Sequence, residues 1–179
     1  RLQAYHAAWP TTLWRGEIAT SREQISQGLA LYDREAHRRH ALHYGGHDPA
    51  VCGLGHGAMA QWLLGYPDQA ARSVREAIAL ADTLPHFPSR GHALWFGGIA
   101  HLMWRDAPVP LDYGERLVAL GAEHGLAQLR AIGGILRGWA RAQLGEGEPG
   151  AAELRQALRA YIGVAKSQLS FFYSVLAET

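Results

Sequence analysis

Cysteine is nearly absent from this sequence, and so is an excess of charge of either sign. Cys52 is the single cysteine among 179 residues, which excludes an internal disulfide and favours a reducing, cytoplasmic compartment. Lysine and arginine number 17 against 16 acidic residues, which gives a formal charge of +1. Because nucleic-acid-binding proteins usually carry a clear basic excess, this balance argues against a nucleic-acid partner.

Long apolar runs and targeting signals are also missing. No segment approaches the roughly 18 consecutive apolar residues that indicate a membrane-spanning helix, so we expect no membrane partner. No signal peptide is recognisable at the first residues. The chain starts without methionine and its last residues continue a helical pattern, so we expect a fragment of a larger cytoplasmic protein.

No group of residues in the sequence indicates catalysis. The histidines lack the glutamate of the HExxH pattern, and the nucleotide-binding motifs of ATPases do not occur. We therefore expect a non-catalytic chain without a cofactor, whose function follows from its architecture.

The stretch over residues 50–84 predicts that architecture. Its first half repeats apolar residues at spacings of three and four, the period of one helix face, at Val51, Leu54, Ala58 and Trp62. Gly65 suits the end of this helix, and Pro67 suits the first turn of a second one. The stretch therefore predicts a helical hairpin whose two apolar faces must be buried.

The same turn recurs along the chain at intervals of 49, 40 and 40 residues. It starts at Gly16, Gly65, Arg105 and Gly145. Compact residues stand five positions later, at Ser21, Ala70, Pro110 and Gly150. Units of about forty residues fit stacked helical hairpins. We predict one all-α domain over residues 1–179, with repeats at about 2–32, 50–84, 89–124 and 127–163 and a capping helix at 167–179.

Three positions depart from a regular repeat. Pro10 lies inside the first helix and is expected to kink or split it. The third turn has Arg105 in place of glycine and prolines in its second helix, so an irregular turn is expected there. Gly133 and Gly134 lie inside a helix, where each costs about 1 kcal/mol against alanine, and close packing against a neighbouring helix would explain them.

The hairpins resemble the tetratricopeptide repeat (TPR). That family's G-x-x-x-x-A turn appears as Gly65 and Ala70, and its later pair of a small and a large residue appears as Ala77 and Ile78. Its leading aromatic residue is Tyr5 in the first unit only. The resemblance implies a right-handed superhelix of stacked antiparallel helix pairs, with about four repeats and the capping helix.

A closer resemblance is to the helical-repeat region of large bacterial signal-transduction ATPases, many of which carry a class III adenylate or guanylate cyclase domain or a DNA-binding domain. The segments that carry it are residues 44–49 (YGGHDP), 62–70 (WLLGYPDQA) and 135–140 (ILRGWA). The resemblance implies a non-catalytic protein-interaction or sensor-regulatory module. Its partner would be a protein or a neighbouring domain of the same chain, and the ATPase and any cyclase would lie outside this fragment.

In such superhelices the first helix of each pair lines a concave groove. The predicted groove residues are mostly aromatic or sulfur-containing side chains: Trp14, Met59, Trp62, His92, Trp95, Met103 and Trp139. Such residues suit an apolar segment of a partner. The alternative is a tighter superhelix that buries them as core. An open groove predicts that at least two of Trp62, Trp95 and Trp139 keep exposed ring surface.

The histidines leave a second class of function open. The segment over residues 33–49 contains His37, His40, His43 and His47, and their spacing allows a metal site. We favour a solvated connector that ends with Asp48 as N-cap and Pro49 at the first helical position, with no metal. His56 and His92 could face each other, although satisfied helix histidines are favoured. The alternative functions are therefore a histidine-loop metal-binding protein or a small-ligand-binding helical-repeat domain.

Overall fold

A computed structural model describes residues 1–165 and 167–179. Within those ranges every regular element is a helix, as the sequence predicts. The helices are α1 Leu2–Trp14, α2 Ile18–Ala30, α3 His40–His43, α4 Pro49–Leu63, α5 Pro67–Asp82, α6 Phe87–Met103, α7 Pro108–Glu123, α8 Ala127–Gln143, α9 Gly147–Ile162 and α10 Leu169–Ala177. Among these described helices, none combines the length and apolar character needed to cross a membrane.

The helices form two compact units, Arg1–Ala100 and His101–Thr179, and the boundary lies inside α6. In the first unit α1 pairs with α2, α4 pairs with α5, and α4 also contacts both helices of the first pair. In the second unit α8 packs between α7 and α9, and α10 packs on α8 and α9. Pairing of neighbouring helices is therefore confirmed, whereas the single repeat domain over residues 1–179 stays a prediction.

The core of the first unit follows the predicted apolar faces. One cluster joins the three helices α1, α2 and α4 through Trp9, Ile25 and Cys52. Another joins α4, α5 and α6 through Val51, Ala77, Ala81 and Ala93. Most of these side chains are small, so neighbouring helices approach closely.

Pro10 does not split the first helix, contrary to one of the expected outcomes. The helix α1 continues to Trp14 with Pro10 inside it. Inside a helix, proline removes the backbone bond to the carbonyl four residues earlier, and its ring crowds that carbonyl. The Thr11 and Thr12 hydroxyls add bonds to the carbonyls of Ala7 and Ala8, at 3.1 and 3.2 Å.

All four predicted turns adopt one backbone conformation, the left-handed helix cap known as the Schellman motif. The first residue of each predicted turn has a positive φ: 83° at Gly16, 84° at Gly65, 62° at Arg105 and 103° at Gly145. The following N–H bonds a carbonyl five residues earlier, at 2.8–3.0 Å in all four turns. The third turn is therefore regular, and the expected irregularity there is wrong. Arg105 takes the conformation that glycine takes elsewhere.

The positive φ at Arg105 predicts a difference in stability between two substitutions at this position. Arg105→Gly should be more stable than Arg105→Ala by about 1 kcal/mol, because only alanine retains a Cβ at positive φ. Both variants lose the ion pair of Arg105 with Glu178, so their difference isolates the backbone. Urea unfolding of the two proteins measures it.

The matched control is Gly65→Ala, which adds a Cβ at the same conformation with no atom within 4 Å. It should lower stability by a similar amount. Equal unfolding free energies for the two Arg105 variants would contradict this account of the turn.

Two glycines allow α7 and α8 to touch through their backbones. A Cβ on Gly133 would lie 2.6 Å from the Gly114 carbonyl oxygen, and one on Gly114 would lie 2.7 Å from the Gly133 oxygen. On the other side of α8, a Cβ on Gly134 would lie 2.8 Å from the Cβ of Ala157 in α9. The close packing predicted for Gly133 and Gly134 is confirmed.

Gly133→Ala should therefore destabilise the chain by about 1–3 kcal/mol, because the added methyl meets backbone that cannot move aside independently. Gly147→Ala is the matched control in α9, since nothing lies within 4 Å of its added Cβ and its φ is not positive. That change should be neutral or stabilising by up to about 1 kcal/mol. Chemical denaturation would contradict the contact if both variants behaved alike.

Candidate functional site

The predicted groove residues differ widely in exposure. In the second unit Trp139 is fully buried and Met103 is half-buried. In the first unit Met59 and His92 are buried, Trp62 and Trp95 are half-buried, and Trp14 is 41% exposed. An open groove predicts exposed surface on at least two of Trp62, Trp95 and Trp139, and Trp62 and Trp95 each keep part of their surface exposed. Binding by these residues stays a prediction.

An exposed apolar site in the first unit lies at the carboxyl ends of α1 and α4. Trp14 and Leu63 each stand two residues before a Schellman glycine, so they hold equivalent positions on two helices that contact each other. They are 41% and 52% exposed. Trp62, beside Leu63 in the chain, is half-buried. Trp14 and Leu63 therefore keep apolar surface exposed at these two helix ends.

Among the loop histidines, the His37 and His40 rings meet edge to face with centroids 4.6 Å apart, but no third donor joins them at metal-ligand spacing within the described residues. The His37 ring contacts the backbone of Asp33, and Nδ1 of His40 accepts a hydrogen bond from the Gln3 side-chain amide at 2.7 Å. His43 is exposed and lies against Tyr44. Within the described residues, these three belong to no group with metal-ligand spacing, whereas His47 does. The four-histidine grouping considered from the sequence is therefore not assembled.

Asp48 fixes the point where the loop enters α4. Its Oδ1 accepts hydrogen bonds from the N–H groups of Ala50 and Val51, at 2.9 and 3.1 Å, and Oδ2 accepts one from the Tyr32 hydroxyl at 3.0 Å. Its own N–H donates to Ser89 Oγ at 2.8 Å. The predicted cap and the proline at the first helical position are confirmed. Burial, and then the Asp48 carboxylate, raise the pKa of Tyr32.

This anchor brings His47 into a buried cluster of four histidines and the single cysteine. His6 Nε2 lies 3.1 Å from His47 Nε2, and the His47 ring stacks on His92 with centroids 3.9 Å apart at 15°. One donor atom from each of His6, His47 and Cys52 lies within 4.8 Å of the others. Helices α1, α4 and α6 and the loop before α4 therefore meet at this cluster.

The deepest part of the cluster is formed by Cys52, His56 and His92. Cys52 and His56 stand one helical turn apart on α4, and Cys52 Sγ lies 3.5 Å from His56 Nδ1. The His56 and His92 rings are 5.9 Å apart, and both contact Phe96. Donor atoms of the three residues again lie within 4.8 Å of one another, and all three residues are buried.

Burial keeps the cluster uncharged. It lowers the pKa of His47 to about 3 and that of His56 to about 4, with neighbouring histidines adding to the first shift. Burial lowers the pKa of His6, and it places the pKa of His92 well below the ordinary range. Burial also raises the pKa of the Cys52 thiol to about 12. At neutral pH the cluster therefore contains neutral imidazoles and a protonated thiol.

Two ring nitrogens in the cluster lack a partner. Nε2 of His56 and Nε2 of His92 are buried and bond to no atom of the described residues. The Nδ1–H of His56 donates to the Cys52 carbonyl at 3.0 Å, which leaves the lone pair on Nε2. Each buried nitrogen without a partner costs about 1–3 kcal/mol. These atoms are suited chemically to accept a proton donor or to coordinate a metal ion.

The sequence contains a partial signal for this cluster. The spacing of Cys52 and His56 places both on one helix face. The sequence also allows His56 and His92 to face each other from different helices. His6 and His47 lie 41 residues apart, and nothing in the sequence connects them. Proximity in the chain connects only the loop histidines, at residues 37, 40, 43 and 47. The expectation that His56 and His92 are satisfied is wrong for their Nε2 atoms.

A separate cavity of about 370 Å³ lies beside the loop in the first unit. Its polar lining includes Arg34, Arg38, Arg39, Asp48, His86 and Ser89. Several of these groups are already paired, since Arg34 donates to the Thr83 carbonyl at 2.9 Å and Ser89 bonds both His86 and Asp48. The cavity is therefore a less specific site than the buried cluster.

No protein-family model and no solved structure matches the chain. It is similar to an uncharacterized protein of Rhizobium meliloti (strain 1021), with 28% identity over 142 residues. That alignment covers 79% of this chain and 14% of the relative, so the chain spans a small part of the relative's length. The similarity assigns no function.

Asp48→Ala should lower the free energy of unfolding by about 2–4 kcal/mol, because it removes a helix cap and leaves the Tyr32 hydroxyl without its acceptor. Asp33→Ala is a matched control, since the Asp33 carboxylate also accepts a backbone N–H, from Ala36 at 2.8 Å, but is exposed. Its cost should stay below about 1 kcal/mol. Urea unfolding that gives equal losses for both variants would contradict the role of Asp48.

Proposed function

We propose that this chain is a non-catalytic interaction or sensor-regulatory module of a larger cytoplasmic signalling protein. The module is a TPR-like right-handed superhelix of stacked helix pairs. Two features support this architecture: four Schellman turns recur at the predicted spacing, and neighbouring helices pack in pairs. Stacked hairpins bury their faces against one another and leave surfaces for partners.

The observation that carries the proposal is the exposed apolar site at Trp14 and Leu63. Two large apolar side chains at equivalent ends of contacting helices give an anchor surface of the kind used for apolar partner segments. The occupant that fits best is a neighbouring domain of the same polypeptide. The similar protein of Rhizobium meliloti is much longer than the matched region, which supports this choice.

The parent protein proposed is a multidomain ATPase, with or without an adenylate cyclase domain. Support comes from the resemblance of the segments YGGHDP, WLLGYPDQA and ILRGWA to the helical repeats of such proteins. A ligand or partner that binds one conformation of the module better than another would alter its contacts with the ATPase. In this proposal, ATP hydrolysis and any cyclase reaction take place in domains outside these 179 residues.

The test begins with the coding sequence on either side of this chain, which should encode a nucleotide-binding ATPase domain. That domain, purified alone, should bind the chain with a micromolar dissociation constant in calorimetric titration. Trp14→Ala combined with Leu63→Ala should weaken binding about tenfold or more, because both apolar anchors are lost.

Leu144→Ala provides the matched control. Leu144 is 50% exposed and also lies at the end of a first helix, but outside the predicted groove positions. The Leu144→Ala variant should bind the ATPase domain with the same affinity as the unmodified chain. Flanking sequence without an ATPase domain, or equal affinities for the double variant and the control, would overturn the proposal.

A further inference from the structure

We propose that Cys52, His56 and His92 bind a transition-metal ion of the zinc type through one thiolate sulfur and two imidazole nitrogens. This inference concerns the interior of the first unit and is independent of the interaction surface at Trp14 and Leu63. It also differs from a loop site, because His37, His40 and His43 take no part.

The three donor groups lie near one another in the interior of the first unit. One donor atom from each residue lies within 4.8 Å of the other two. Donors bound to one tetrahedral zinc ion lie about 3.3–3.6 Å apart, given bonds of about 2.0–2.3 Å. Nδ1 of His56, which lies 3.5 Å from Cys52 Sγ, donates its proton to the Cys52 carbonyl, so Nε2 is the nitrogen available for coordination. Side-chain rotation within the helices can close the remaining distances.

The unpartnered nitrogens are the second, independent observation. Nε2 of His56 and Nε2 of His92 are buried and have no hydrogen-bond partner among the described residues. For His56, the bond from Nδ1–H to the Cys52 carbonyl orients the ring and leaves Nε2 basic. A backbone carbonyl commonly sets the tautomer of a metal-binding histidine in this way. Coordination gives the unpartnered nitrogens the partner they lack.

The donor set selects the class of ion. Imidazole and thiolate favour zinc and copper, whereas magnesium and calcium require oxygen ligands. Neutral imidazoles are the binding form, and burial keeps them neutral at physiological pH. The Cys52 thiol loses its proton to solvent when the metal–sulfur bond forms. Each divalent ion bound therefore releases one proton.

His47 and His6 support the site without entering it. The His47 ring stacks on His92 at 3.9 Å and 15°, which restricts rotation of the His92 ring. His6 Nε2 holds His47 Nε2 at 3.1 Å, and Gln3 accepts from the other His6 nitrogen at 2.9 Å. We assign His47 as a positioning residue.

A second set of donors, His6, His47 and Cys52, shares the same sulfur, so the experiment must separate the two sets.

The experiment titrates the chelator-treated 179-residue chain with Zn²⁺ in competition with a chromophoric chelator, and in parallel with Co²⁺ followed by absorbance. One equivalent should bind, and Co²⁺ should give a thiolate-to-cobalt charge-transfer band. Cys52→Ser should abolish that band. His56→Gln and His92→Gln should each weaken zinc binding by about 100-fold or more, since loss of an outer-shell partner alone costs about 10–100-fold.

Two controls make the outcome decisive. His43→Gln changes an exposed loop histidine outside the cluster and should leave affinity and spectrum unchanged. His6→Gln should weaken binding less than His92→Gln does. An effect of His6→Gln equal to or larger than that of His92→Gln would overturn the proposal and identify the other donor set.

Helical circular dichroism without metal shows whether each variant folds. If a variant does not fold, the folded variants still separate the two donor sets, and the unmodified chain must show one bound Co²⁺, the charge-transfer band and a higher melting temperature with Zn²⁺. Failure of stoichiometric binding by the folded, unmodified chain overturns the proposal. Zinc binding of equal affinity in folded Cys52→Ser also overturns it.

Discussion

The hairpins α1–α2, α4–α5 and α8–α9 depend on close contact between their two helices immediately after a left-handed turn, and that contact requires a compact residue five positions beyond the turn. Ser21 and Ala70 are fully buried there, and Ser21 Oγ also donates to the Trp9 carbonyl at 2.8 Å. Gly150 allows α9 to touch the backbone of α8. A larger side chain at these positions would separate the helices and expose the apolar faces that hold neighbouring hairpins together.

Local rules explain why most of the fold could be predicted. Helix ends follow from turn chemistry and apolar period, so the predicted helices agree with the observed ones within a few residues. Arg105 shows the limit of such rules. The absence of glycine suggests an irregular turn, but Arg105 takes a positive φ and the Asp106 N–H bonds the His101 carbonyl, as in the other turns. Tertiary structure overrides the preference of that residue, and single-sequence reasoning cannot weigh this effect.

The buried cluster was beyond prediction for a different reason. Cys52 and His56 share one helix face, and this local signal could be found in the sequence. His6, His47 and His92 reach the same point only because α1, α4 and α6 pack together and Asp48 fixes the entry to α4. Long-range placement of this kind depends on helix order and crossing geometry, which apolar periodicity does not encode. Chain proximity therefore identified the loop histidines rather than the buried ones.

A cluster of buried histidines is an unfavourable way to fill a core. Phe96 packs against His56 and His92, so the histidine rings already contact an apolar ring here. An apolar residue of similar size would contribute the same contacts without leaving Nε2 unpartnered, and it would avoid a cost of about 1–3 kcal/mol at each site. Elsewhere in the first unit the helices meet through alanine, valine and other apolar side chains. Departures from stabilising local choices concentrate at functional sites. The unpartnered Nε2 atoms of His56 and His92 are such a departure, and the proposed metal ion would give both atoms a partner.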